Sequence, residues 1–125
     1  MAKLYLSNRD SLLCIDLESI ALLKAEGNYT RLYYINQHDT LLAYGIGYLF
    51  EVLSKMSPGN YHFVRLGRSI IINHTYLQKI DLQKQILELA NQGKDKVRIS
   101  IPKNVLRSYK TTVEKSVVIK KNGHN

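Results

Sequence analysis

The side chains that most often carry out chemistry in proteins are few and scattered in this sequence. None of its histidines stands at a spacing that would place two metal ligands on one helical turn, and Cys14 is the single cysteine. Ten carboxylates form no recognisable acid–base pair, and there is no glycine-rich phosphate loop and no nucleophile elbow. The sequence therefore predicts no enzyme, no metal site and no cofactor. The histidines are His38, His62, His74 and His124.

One basic segment interrupts an apolar stretch in the second half of the chain, and it reads Arg65-Leu66-Gly67-Arg68-Ser69-Ile70-Ile71-Ile72-Asn73. A bend at Gly67 would turn Arg68 outward, where its guanidinium can pair with a phosphate or a guanine edge. Ser69 can add a hydrogen bond to a phosphate oxygen. The alternative is that the two arginines are solvated side chains on an exposed pair of strands. Asn73 is expected to cap a strand end rather than to read a base.

Charge is distributed unevenly along the chain, whose 125 residues carry a formal net charge of +8. Residues 1–60 hold five basic and six acidic residues, whereas residues 61–125 hold thirteen basic and four acidic ones. The asymmetry predicts one strongly positive surface, suited to a polyanion such as nucleic acid or an acidic membrane. A well-solvated lysine surface is the alternative that composition leaves open.

The elements that must position these residues are mostly short strands. Apolar, β-branched and aromatic runs alternate with polar turns along the chain. Asn91–Asp95 has the composition of a hairpin loop with glycine at the position of special φ. The predicted strands are Lys3–Leu6, Leu12–Leu17, Ile20–Lys24, Thr30–Ile35, Thr40–Tyr44, His62–Arg65, Ser69–Ile72, Leu77–Leu82, Ile86–Ala90 and Lys96–Ile101.

Two segments have the period of an α-helix instead. Between Gly47 and Ser57 the apolar residues recur at spacings of three and four, and Pro58 and Gly59 then prevent continuation. Pro102 can open a second helix, in which every fourth residue is apolar. The apolar positions are Leu49, Val52, Leu53 and Met56 in the first helix, and Val105, Tyr109, Val113 and Val117 in the second.

These patterns predict a mostly β fold with short α-helices, as a single domain over residues 1–116 followed by a flexible basic tail over 117–125. No run approaches the roughly 18 apolar residues that a membrane helix needs, and the N-terminus lacks the core of a secretion signal. Cys14 lies in an apolar run and is expected to be a buried structural thiol. A chain with one cysteine and no secretion signal is expected in the cytoplasm.

Three blocks, taken in order, resemble the LytTR DNA-binding domain of bacterial transcription regulators. They are Glu26–Tyr33, Phe63–Asn73 and Ile101-Pro102-Lys103, with the predicted first helix lying between the first two. The similarity runs from about Lys3 to about Tyr109. It implies an elongated, mostly antiparallel β fold with one short helix packed against small sheets and a helix at the C-terminus.

The resemblance also implies that loops, rather than a recognition helix, enter the major groove of DNA. Base specificity is not carried over, because some relatives have histidine where Thr30 stands and arginine where Lys103 stands. The residues alone leave other roles open: Asn28 can supply a positive φ, and Tyr29 can pack its ring against the sheet. The expected DNA-binding residues are Asn28, Tyr29, Thr30, Arg31, Arg68, Ser69, Lys103 and Asn104.

The implied function is sequence-specific binding of double-stranded DNA in transcription regulation. Family members commonly bind two direct-repeat half-sites and bend the DNA, so that a weak homodimer on DNA is expected. Most also carry the receiver domain of a two-component response regulator, which residues 1–19 do not resemble. A stand-alone protein is therefore expected, with an excised domain as the alternative. Two other functions remain open: a protein-interaction module on the same fold, and single-stranded RNA binding by tyrosine-rich strands.

Overall fold

The structure, a computed structural model, describes residues 2–56, 63–93, 95–116 and 119. Within these ranges the chain forms ten strands and two α-helices, together with 3-10 turns at Leu17–Ser19 and His74–Tyr76. The strands are β1 (Lys3–Ser7), β2 (Leu12–Asp16), β3 (Ile20–Glu26), β4 (Tyr29–Tyr34), β5 (Asp39–Leu42), β6 (Phe63–Leu66), β7 (Ile70–Asn73), β8 (Leu77–Asp81), β9 (Ile86–Ala90) and β10 (Lys96–Ser100). The helices are α1 (Ile46–Met56) and α2 (Lys103–Val113).

The strands form three antiparallel sheets. The largest has five strands in the order β5-β4-β3-β7-β6, while β1 and β2 pair as a hairpin and β10-β9-β8 form a three-stranded sheet. This confirms the mostly β class with two helices. The predicted helix stop at Ser57–Asn60, the predicted strand start at His62, and Lys94 fall outside the described residues. So does the predicted tail at 117–125, apart from Ile119, which is fully exposed.

The central strands β3 and β7 of the five-stranded sheet are buried on both faces, which explains their apolar runs. Leu23 and Ile71 belong to a core formed with α1 and the β1–β2 hairpin, whereas Leu22 and Ile72 belong to a core formed with the three-stranded sheet and α2. All four side chains are at most 1% exposed. Because successive side chains of a strand point to opposite faces, a strand covered on both sides must be apolar at every position.

Each helix presents one apolar face to a core. Helix α1 buries Ile46, Leu49 and Leu53, in agreement with the predicted spacing. Helix α2 buries Leu106 and Tyr109. The predicted four-residue stripe of α2 missed Leu106, which is fully buried, because a helix packed in a groove also uses the neighbouring row of side chains.

One local prediction is wrong, and one alternative that the sequence left open is ruled out. Cys14 is exposed, because in the β1–β2 hairpin it lies opposite Tyr5 on the outward face, while the neighbouring Ile15 fills the core. The positive φ in the β3–β4 turn belongs to Gly27 at +61°, and not to Asn28. Both described helices have 11 residues, too short to cross a bilayer, and no described helix is long and apolar enough for that role.

Candidate nucleic-acid interface

One end of the five-stranded sheet collects the turns that the sequence singled out. Strand β3 is antiparallel to both of its neighbours, with Lys24 opposite Arg31 on β4 and opposite Ile70 on β7. The turn that leaves β3 and the turn that enters β7 therefore lie side by side. Strand β5 ends there as well, since Thr30 at the start of β4 is opposite Leu42.

The β6–β7 turn is short and exposed. Leu66 pairs with Ile70, which leaves Gly67, Arg68 and Ser69 to close the hairpin. Gly67 has φ +62°, a conformation that side chains other than glycine adopt at a cost. Arg68 and Ser69 are both exposed. The predicted bend at Gly67 is thus present, and it carries Arg68 on the tip of the turn.

Backbone contacts and a neighbouring arginine hold this turn in place. The Ala25 amide donates a hydrogen bond of 2.8 Å to the Ser69 carbonyl, which ties the turn to β3. Arg65 Nη2 donates to the Arg68 carbonyl at 3.1 Å, while its guanidinium carbon lies 6.0 Å from the centroid of the Phe50 ring on α1. By contrast, the Arg68 guanidinium has no hydrogen bond or ion pair with any residue of the described ranges.

The start of α2 lies against the same turn. A β-carbon built on Gly67 would lie 3.6 Å from a methyl group of Val105, in ordinary van der Waals contact. Lys103 and Asn104 are exposed in the first turn of the helix. The N-cap, Pro102, offers no capping side chain, so that backbone N–H groups and the positive end of the helix dipole remain open to an anion.

The four contact residues predicted in the β3–β4 turn and at the start of β4 differ in their exposure to solvent. Asn28 is exposed, as is Tyr29, whose exposed fraction is 51%. Thr30 has an exposed fraction of 0%, and its hydroxyl donates a hydrogen bond of 2.8 Å to the Tyr44 carbonyl. The Thr30 side chain is therefore not accessible to DNA in this structure, because β4 alternation turns it toward α1, and its contact with DNA stays a prediction.

Arg31 is exposed only in part and is already paired. Its Nε donates to Glu26 Oε2 at 2.6 Å and its Nη1 donates to Asp39 Oδ2 at 2.9 Å. Two hydrogen bonds raise the pKa of Arg31 above its ordinary value, and the bond with Glu26 contributes more than the bond with Asp39. A phosphate would have to compete with two carboxylates, so the structure gives Arg31 the role of joining β3, β4 and β5.

Sequence reasoning missed two features near this end. One is Arg65 as a support for the turn, because nothing in the sequence shows that β6 places it beside Phe50. The other is an aromatic pair that joins the β5–α1 connection to α1 itself, where the rings of Tyr44 and Tyr48 stack with centroids 5.8 Å apart. Tyr48 is 57% exposed. Among the described residues, no group of three or more histidine, cysteine or acidic side chains could hold a metal ion.

Asn73 has the structural role that the sequence predicts. Its side chain is fully buried, donates from Nδ2 to the Ile20 carbonyl at 3.0 Å and accepts from the Thr75 amide at 3.1 Å. It therefore caps the end of β7 and the following 3-10 turn. A base contact by this side chain is excluded by its burial.

Comparison with known proteins agrees with this architecture. A family model described as the LytTr DNA-binding domain matches residues 10–113. A search of curated proteins found no match. Among solved structures, the chain is similar to the LytTr DNA-binding domain of a Bacillus cereus protein described as a methyl-accepting/DNA response regulator, with 18% identity and a TM-score of 0.56. The similarity covers 92% of this chain and 95% of that one.

The two comparisons carry different weight. At 18% identity the solved structure shows a shared fold and no more. The family match spans most of the chain and concerns a family of DNA-binding, non-enzymatic domains of transcription regulators, so it confirms both the resemblance and the expectation of no enzyme. The chain belongs to the LytTR family of DNA-binding domains.

Proposed function

We propose that the protein binds double-stranded DNA in a sequence-specific way through the turns at one end of its five-stranded sheet, which enter the major groove. We call this end the turn face. The observation that carries the proposal is that three segments far apart in sequence meet there with their polar side chains exposed. The turn face consists of Asn28, Tyr29, Arg68, Ser69, Lys103 and Asn104.

The chemistry of the turn face suits a base edge flanked by phosphates. Arg68 presents a planar fork of donors that is unpaired within the described ranges, and this fork matches the two acceptors of guanine in the major groove. Asn28 and Asn104 each offer a donor and an acceptor. Lys103 and the open N-terminus of α2 provide positive charge for phosphates beside the groove. A three-residue turn is also narrow enough for a groove about 12 Å wide.

The proposal extends to how the domain is used. Two copies would occupy two direct-repeat half-sites, with a weak contact between them and a bend in the DNA between the sites. We place this activity in the cytoplasm. Thr30 and Arg31 would act indirectly, since one is buried beneath the β3–β4 turn and the other is ion-paired at its side.

The test measures binding to a duplex selected from a random pool, by fluorescence anisotropy over a range of salt concentrations. Arg68→Ala should weaken binding by about 5- to 150-fold, the equivalent of about 1–3 kcal/mol for a bidentate base contact. Lys103→Ala should weaken binding to all sequences alike and reduce the slope of log K against log salt by about one unit.

The matched control is Lys115→Ala, which removes an exposed lysine just beyond the other end of α2, about 18 Å along the helix axis from Lys103. It should leave affinity within about twofold. Duplex binding that does not depend on salt, or equal losses in Lys103→Ala and Lys115→Ala, would contradict the proposal. In that case, capture of a protein partner that survives nuclease treatment would favour the interaction-module alternative.

A further inference from the structure

The outward face of the three-stranded sheet carries a second concentration of positive charge. A shallow pocket of about 290 Å³ opens there, lined by Lys79, Asp81, Lys84, Ile86, Glu88 and Arg98. Lys79, Glu88 and Arg98 stand in one row across β8, β9 and β10, because Glu88 is the register partner of both of the others. Lys96, further along β10, adds a fourth cation beside the pocket.

The two carboxylates of this face are already engaged, and the cations outnumber them. Glu88, whose side chain is only 12% exposed, accepts from Arg98 at 2.9 Å and pairs with Lys96 at 3.4 Å. Asp81 accepts from the Lys84 amide at 3.0 Å and so shapes the β8–β9 turn. The four cations exceed these two anions by two charges.

Two of the cations are not used by the fold. Neither Lys79 nor Lys84 forms an ion pair with a carboxylate of the described residues, and both are exposed. Arg98 remains 64% exposed although it is paired with Glu88, so its unused donors still face solvent. A row that crosses three strands about 4.8 Å apart spans roughly 10 Å, which corresponds to about three phosphate steps of 3.4 Å along one DNA strand and is larger than one small anion.

This charged face begins where the turn face ends. The Ile101 amide, two residues before Lys103, donates a hydrogen bond of 3.1 Å to the carbonyl of Gln85 in the β8–β9 turn. Lys84 directly precedes Gln85 in that turn. A duplex that engages the N-terminus of α2 is therefore the polyanion best placed to reach Lys84, and beyond it Lys79 and Arg98.

We propose that Lys79, Lys84, Lys96 and Arg98 form a flank surface that binds the phosphate backbone of DNA outside the base pairs contacted by the turn face. The inference rests on the proposed function, since it assigns a further stretch of the same duplex to a different face of the domain. The contact is independent of base sequence, and it lengthens the footprint on the side of the half-site that lies next to α2.

The experiment compares three duplexes with the same selected half-site: one trimmed to the half-site, and two extended by about ten random base pairs on one side or the other. The unaltered protein should bind one extended duplex more tightly than the trimmed one. In the Lys79→Ala/Lys84→Ala double variant this gain should disappear. The slope of log K against log salt should fall by about 1.8 for that duplex, while binding of the trimmed duplex stays within about twofold.

Glu88→Gln is the second variant, and its effect should have the opposite sign. It releases Arg98 and Lys96 from a carboxylate, and it should increase the affinity for the favoured extended duplex while it leaves the trimmed duplex unaffected. Lys55→Ala, on the exposed side of α1, is the control for the loss of a lysine elsewhere on the surface and should change neither affinity. Thermal unfolding of each variant shows whether it is folded.

The outcomes separate this inference from the proposed function. Equal affinity of the unaltered protein for the trimmed and both extended duplexes would overturn the flank surface while the turn face stands. Equal losses of the double variant on all three duplexes would also overturn it, because the lysines would then lie within the half-site contact. Failure of the unaltered protein to bind any selected duplex would instead overturn the proposed function.

Discussion

Replacing Thr30 with valine tests whether this residue supports the β3–β4 turn from inside, as the structure indicates, or reads DNA, as its position in the sequence suggests. Valine has nearly the shape of threonine but lacks the hydroxyl. The substitution therefore removes the 2.8 Å hydrogen bond to the Tyr44 carbonyl and leaves the packing of a fully buried side chain almost intact.

The expected cost follows from the loss of one partner of a buried hydrogen bond. Such a bond contributes about 0.5–1.5 kcal/mol, and an unsatisfied carbonyl adds a desolvation penalty, so we expect a loss of about 1–2 kcal/mol. For 125 residues the entropy of unfolding is about 260 cal/mol/K. The melting temperature should therefore fall by about 4–8 °C.

The assay pairs thermal unfolding with DNA binding, and it uses Arg68→Ala for comparison. Thr30→Val should lower the melting temperature, while its affinity for the selected duplex at 25 °C and its salt slope stay close to those of the unaltered protein. Arg68→Ala should weaken binding of the selected duplex and leave the melting temperature unchanged, because the Arg68 side chain is exposed and has no partner among the described residues. A large loss of affinity in Thr30→Val at unchanged stability would refute this reasoning.

Two further substitutions test how the β6–β7 turn is held. Gly67→Ala places a side chain at φ +62°, so it should destabilise the protein by about 1–2 kcal/mol and weaken DNA binding. Gly45→Ala is the control: an added β-carbon there meets open space, and the free energy of unfolding should change by less than about 0.5 kcal/mol. Arg65→Lys keeps the charge but loses the guanidinium that donates to the Arg68 carbonyl and lies over the Phe50 ring, so anisotropy should show several-fold weaker binding at an unchanged salt slope. An unchanged affinity would show that the turn holds its shape without Arg65.

The sequence was most informative where one physical requirement dominated. The run Ile70-Ile71-Ile72 predicted a strand, and the three- and four-residue spacing in residues 47–57 predicted α1. The bend at Gly67 followed from the interruption of an apolar run by glycine and arginine. The charge split predicted one positive surface, and the structure places four cations of the basic half on the outward face of β8–β10.

The burial of Cys14, Thr30 and Arg31 depends on which other element packs against each face of their strands, and the sequence does not show this. Cys14 looked buried because its neighbours are apolar, but a two-stranded hairpin has one covered face, and Cys14 is on the other. Thr30 and Arg31 are adjacent in sequence, yet pleating sends one toward α1 and the other toward two carboxylates. Their partners lie on β3, on β5 and in the segment that follows β5, and no local pattern in the sequence shows this pairing.

The most direct test of the central claim is a map of the amide chemical-shift changes that a selected duplex causes in this 14.4 kDa protein. If the turn face binds DNA, the largest changes should cluster in residues 27–29, 67–69 and 103–105 together, while the β1–β2 hairpin changes little. Changes concentrated in residues 3–16, or confined to only one of the three segments, would contradict the claim that these turns act as a single DNA-binding surface.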